Sequence, residues 1–160
     1  MAGIEQVIAE YSPALGRIAA SYERDRALRE ELVQDILFAI HQALPSLADD
    51  GKLRPFIFRI AHNRAVSHVM RRVREKTPVD FGDAGDALPD PEQQWAQRQR
   101  AERLIKAVRR LPLPYRQVIT LLLEDLSYEE IADVLGLSVS NVGVRINRAK
   151  EQLKAMLCDE

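Results

Sequence analysis

Asn141, Arg145, Asn147, Arg148 and Lys150 lie within ten residues near the C-terminus and combine amides with cations. Amide and guanidinium groups hydrogen-bond base edges in a major groove, and cations neutralise the phosphates alongside. Such groups need a helix to present them, and the stretch from Tyr128 to Lys150, YEEIADVLGLSVSNVGVRINRAK, reads as a helix-turn-helix. Ala132 is small enough to let a second helix approach, Gly136 tolerates a left-handed corner, and Val142 pins the second helix to the first. Ser138 is placed to cap that second helix and Ser127 to cap the first, with Glu129 and Glu130 complementing the helix dipole rather than forming a catalytic carboxylate pair.

A second set of cations precedes it. Arg54, Arg59, Arg64, Arg71, Arg72, Arg74 and Lys76 have only Glu75 as a nearby acid, and Arg98, Arg100, Arg103, Lys106, Arg109 and Arg110 only Glu102. The formal net charge of -1 therefore conceals strong sectoring, compatible with a nucleic-acid partner. Phe56, Phe58 and His62 sit beside the first run and are candidates to stack on exposed bases, although the spacing of Phe56 also suits a core. Catalysis finds little support. His41, His62 and His68 do not share a helix face as metal ligands, and neither a cysteine pair nor a glycine-rich phosphate loop accompanies them.

The elements that must carry these groups are helical. Leu32, Val33, Ile36, Leu37, Ile40 and Leu44 recur at three-to-four spacing and stop at Pro45; Phe56, Ile57, Ile60, Ala61, Ala65 and Val69 form a second stripe in a helix opening near Pro55. Further helices are expected at residues 95–111, 115–124, 128–135 and 139–156, with Pro112 and Pro114 breaking the first from the second. Between the halves, TPVDFGDAGDALPDP is rich in Pro, Gly and Asp and reads as a linker. The expected fold is all-α, with two small helical domains at 1–76 and 95–160 joined by a flexible acidic linker at 77–94. With 160 residues, 46% of them hydrophobic, the chain suffices for modest cores. Cys158 is the single cysteine, so no internal disulfide supports the fold, and a reducing cytoplasm suits it. Neither a signal peptide nor a stretch of the roughly 20 apolar residues that a membrane span needs is legible, so membrane insertion is not expected.

With both halves read, the chain resembles the small two-domain extracytoplasmic-function sigma factors of bacterial RNA polymerase over nearly its whole length. The second half, LPLPYRQVITLLLEDLSYEEIADVLGLSVSNVGVRINRAKEQLKAML, is similar to that family's -35-binding domain in its leucine-proline entry, its SYEEIA helix and its closing RINRAKEQL. In the first half, ELVQDILFAIHQAL looks like the helix that docks on the polymerase clamp and RPFIFRIAHNRAVSHVMRR like the -10-recognition helix. The resemblance implies a factor without bond chemistry of its own or any cofactor, partnered by core RNA polymerase, promoter DNA and an anti-sigma factor. It assigns polymerase contact to Leu32, Gln34, Asp35 and Phe38. The -10 strand falls to Ser46, Asp49, Lys52, Arg59, Asn63, Arg64, Arg71 and Arg72, and the -35 duplex to Ser140, Asn141, Gly143, Val144, Arg145, Asn147, Arg148 and Lys150. The acidic linker would thread through polymerase between the two domains.

One departure stands out. Where the family commonly has a Lys or Arg and then a Ser, this chain has Gly143 and Val144, which implies a lost contact and a recognition helix either softened by glycine or set unusually close to DNA. Two other functions fit parts of the sequence. A stand-alone dimeric helix-turn-helix regulator would require palindromic half-sites about one helical turn apart. A helical protein that binds only another protein would leave its basic helices unused.

Overall fold

The computed structural model describes residues 3–75 and 92–158. Seven α-helices account for most of them: α1 (Ile4–Tyr22), α2 (Arg26–Ala43), α3 (Leu53–Glu75), α4 (Glu92–Arg110), α5 (Leu113–Leu123), α6 (Tyr128–Leu135) and α7 (Val139–Cys158). No strand occurs among the described residues. Two short 3-10 turns, Leu44–Ser46 and Asp50–Lys52, join α2 to α3. Pro45 lies in the first of them, so α2 ends where its amide hydrogen bonds can no longer continue.

Helix α1 has no counterpart in the sequence-based expectation. Pro13 interrupts its amide ladder, yet Val7, Leu15, Ile18 and Tyr22 fall on one buried stripe. That stripe packs on α2 and α3, whose Ile36, Ile40 and Ile57 are fully buried, to form the first half. In the second half, Val108, Leu111, Val118, Leu121, Ile131, Val142 and Ile146 close a core between α4, α5, α6 and α7. Helix α4 begins at Glu92, inside the stretch read as linker; residues 76–91, which hold the rest of that stretch and Lys76, lie outside the described residues.

The two halves touch. Helices α4 and α5 pack on α1, α6 packs on α3, and the buried apolar residues form one contiguous cluster. Polar groups fix the seam. Arg17 donates two hydrogen bonds to the Glu124 carboxylate at 2.9 and 2.7 Å, Arg109 Nε donates to the Ala20 carbonyl at 2.7 Å, and buried Tyr22 and Thr120 meet hydroxyl to hydroxyl at 3.4 Å.

Candidate nucleic-acid interface

The helix-turn-helix is built by its caps. Ser127 Oγ accepts from the Glu130 amide at 3.1 Å while the Glu130 carboxylate accepts from the Ser127 amide at 2.9 Å, a reciprocal box that starts α6. Gly136 ends it at φ +70°, and the amides of Gly136 and Leu137 both return to the Ala132 carbonyl. Ser138 Oγ then accepts from the Asn141 amide at 3.1 Å and starts α7.

Position on α7 separates buried anchors from exposed residues. Val142, Ile146, Ala149 and Leu153 are buried, while Ser140, Asn141, Val144, Asn147, Arg148 and Lys150 are exposed and Arg145 is half-exposed. The outward residues thus form a polar stripe opposite the core, with Val144 supplying an apolar group of the kind that meets a thymine methyl. Gly143 departs from expectation. A Cβ built there would stand 3.6 Å from Tyr128 Cε2 of α6, so the position faces the partner helix, and the glycine is not a device for bringing backbone close to DNA.

In the first half the candidate residues fall on several surfaces. Ser46 and Asp49 are exposed, but their oxygens serve the loop itself: Ser46 Oγ donates to the Ala43 carbonyl at 2.6 Å, and Asp49 accepts from the Gly51 amide at 2.9 Å. Lys52, Asn63 and Arg71 are exposed. A concavity of about 360 Å³ opens between α2 and α3, lined by Ala39, Ala43, Ile60, Asn63, Arg64 and Ser67. Arg64 pairs weakly with Asp35 at 3.9 Å.

Arg59 and Arg72 are already engaged. Arg59 reaches α6, donating to the Asp133 carbonyl at 3.0 Å with the Asp133 carboxylate 3.4 Å away, and Arg54 meets the Glu124 carbonyl at 3.1 Å and Glu130 at 3.7 Å. Arg72 Nε lies 2.7 Å from the carboxylate of Glu23, a residue that sequence reasoning passed over. Glu23 is buried, and His68 Nε2 and the Asp25 amide contact it at 2.8 and 2.9 Å. Burial pushes its carboxyl up in pKa, but the Asp25 amide, His68 and Arg72 outweigh that and hold it below the usual range.

Two expectations need correction. Leu32 is 2% exposed and packs in the core, so it cannot meet polymerase directly, whereas Gln34 and Phe38 on the same helix are exposed. Phe58 is buried with its ring edge-on to Tyr11, which removes it as a base-stacking platform. His62, another of the stacking candidates, is half-buried, and burial pulls its pKa down to about 4, so it is neutral near pH 7.

This arrangement of an outward polar helix and a basic α3 meets two family models, sigma-70 region 2 over residues 7–75 and sigma-70 region 4 over residues 101–153. The RNA polymerase sigma factor CnrH of Cupriavidus metallidurans is 35% identical over 95% of this chain and 85% of its own length. The chain belongs to the sigma-70 family, among its extracytoplasmic-function sigma factors. Other relatives of this sigma factor are NccH of Alcaligenes xylosoxydans, 31% identical over 95% of this chain and 85% of its own, and the extracytoplasmic-function factor SigM of Bacillus subtilis, 27% identical over 96% and 94%. Its fold superposes on CnrH in complex with the cytosolic domain of CnrY with a TM-score of 0.73, 28% identity, and coverage of 98% of this chain and 88% of that one. For RpoE in complex with the anti-sigma factor NepR from Bartonella quintana the TM-score is 0.74, with 25% identity and 96% and 95% coverage.

Proposed function

We propose that this sigma factor binds core RNA polymerase through the exposed outer face of α2, Gln34 and Phe38 with Asp35 at its edge, and directs it to promoters through two separate DNA readers. The single observation that carries the reading is the division of α7: a buried apolar stripe holds the helix on its domain and leaves Ser140, Asn141, Val144, Asn147, Arg148 and Lys150 to face a duplex -35 element. Lys52, Asn63, Arg64 and Arg71 serve the melted -10 strand, where cations along the backbone offset the few kcal/mol that extruding a base costs. Ser46 and Asp49 shape the neighbouring loop, and the concavity at Asn63 and Ser67 accepts the extruded base. Arg59 joins them only after leaving Asp133, so the two halves must separate for full -10 recognition.

The factor performs no bond chemistry itself, works in the cytoplasm where the polymerase is, and is held inactive by an anti-sigma partner, as the complexes of CnrH with CnrY and RpoE with NepR suggest. A stand-alone dimeric regulator is disfavoured because both the polymerase-associated region 2 and the region 4 match in one chain. The test is reconstitution. Purified protein should co-elute with core polymerase and confer initiation at a small promoter class; failure to bind core, together with palindrome-dependent binding of free DNA, would reverse the conclusion.

A further inference from the structure

Val144 is an apolar residue where the fold asks for none. Helix α7 is held by Val142, Ile146, Ala149 and Leu153, all buried, and Val144 projects from nearly the opposite side with 47% of its surface exposed. Packing therefore does not account for it. Helix propensity does not either, since a β-branched side chain loses rotamer freedom in a helix, and alanine or lysine would serve an exposed position better.

Its neighbours supply the context. Ser140 and Asn141 lie one turn before Val144, Asn147 and Arg148 one turn after, and all four are exposed. Val144 is thus a small apolar island within a stripe of groups that hydrogen-bond. It falls in the second turn of a helix that begins at Val139, and the N-terminal turns of a recognition helix are the part that meets base edges. In a major groove the base pairs differ in their donors and acceptors, and thymine alone adds a methyl group, on C5. Against the polar edge of a purine, an isopropyl group would displace water without replacing its hydrogen bonds.

We propose that Val144 is a specificity-determining residue of the -35 reader, its isopropyl group packing on the C5-methyl of one thymine. The inference rests on the proposed placement of α7 at the -35 duplex and adds the base. Arg148 stands one turn further on, about 6 Å along the helix axis against base-pair steps of about 3.4 Å, so it addresses a different pair from the one that Val144 covers. The polar residues around Val144 fix the register, and the valine then favours one pyrimidine at one position.

The probe is the -35 duplex that holoenzyme, reconstituted from core polymerase and the full-length protein, selects from a randomised library. Each thymine in it is replaced in turn by deoxyuridine, which deletes the C5-methyl and leaves every base-pair hydrogen bond in place. Competition binding should show the parent weakened about fourfold at one thymine, the worth of one methyl group taken out of contact, and less than twofold at the others. Val144→Ser should lose that one response, with thermal unfolding confirming that the variant folds. A selected element without an A·T pair, or indifference of the parent to every deoxyuridine, would overturn the contact without recourse to any variant. A thymine that stays sensitive in Val144→Ser would overturn it by assigning the methyl to another residue. The underlying placement has its own control: if Arg148→Ala binds the selected and a scrambled duplex as the parent does, α7 is not the reader and the thymine contact falls with it.

Discussion

Arg17→Ala should loosen the seam between the halves more than Glu124→Ala does, because burial of the pair is lopsided. The two side chains form a bidentate ion pair, but Arg17 is 60% exposed and Glu124 only 8%. Removing Glu124 returns an arginine to water that already solvates it, so the loss is that of a well-oriented exposed pair, about 1 kcal/mol. Removing Arg17 strands a carboxylate that water reaches poorly, at about 2 kcal/mol. Arg17→Ala combined with Glu124→Gln should recover part of that loss, since a neutral amide is less costly to leave unpaired. Urea unfolding of the four-member cycle gives the coupling energy, and small-angle X-ray scattering gives the fraction of separated halves, which about 1 kcal/mol raises roughly fivefold. Glu124→Ala proving as costly as Arg17→Ala, or a coupling below about 0.3 kcal/mol, would refute the burial argument.

Gly143→Ala should raise the thermal midpoint by the equivalent of up to about 1 kcal/mol, because a methyl there makes ordinary contact with Tyr128 and relieves the entropy cost of glycine in a helix; a lowered midpoint would mean the ring cannot accept it. Arg148→Ala should weaken binding to the cognate -35 duplex by about 1 to 3 kcal/mol and spare scrambled DNA, whereas equal loss on both would make it a phosphate contact in a gel-shift titration. Phe38→Glu should abolish co-elution with core polymerase and leave the unfolding midpoint unchanged, since the ring is 59% exposed; unimpaired co-elution would move the docking face elsewhere. His62 titrates lower in the folded chain, at about 4, than when unfolded, so its contribution to stability is complete above the ordinary pKa of 6.5 and is lost as pH falls toward 4. Over that interval His62→Gln should reduce the slope of stability against pH by up to about 1.36 kcal/mol per unit, and superimposable curves would contradict burial as the cause.

What was legible in the sequence was local. The corner glycine, the serine caps and the apolar register of α7 depend on residues within four positions of one another, and Gly136, Ser127, Ser138 and Val142 sit as their types require. Helix α1 drew no expectation from the sequence: Pro13 and Gly16 are poor helix formers, and only the tertiary stripe through Val7, Leu15 and Ile18 overrides them. Leu32 carried a surface role by analogy although its own spacing belongs to the buried stripe of α2. Nothing near Arg17 in the chain announces Glu124, 107 positions on, and Glu23 reads as a loop charge until α3 brings His68 and Arg72 over it. Pairings of that separation depend on how helices stack, which one sequence does not state.

Those pairings also make the two proposed DNA readers unequal in the closed chain. The α7 stripe is open to solvent while the halves are together, so a -35 duplex needs no rearrangement to meet it. Arg59, proposed for the -10 strand, is held by Asp133, so under that proposal the strand competes with α6 for it. Apparent affinity for that strand is lowered by the fraction of chains that are open, and anything that draws the halves apart restores it without touching a base. Polymerase, by holding the two domains at the spacing of its promoter elements, would supply that separation, and the acidic face of α6 then keeps the unbound factor from spending its arginines on stray nucleic acid.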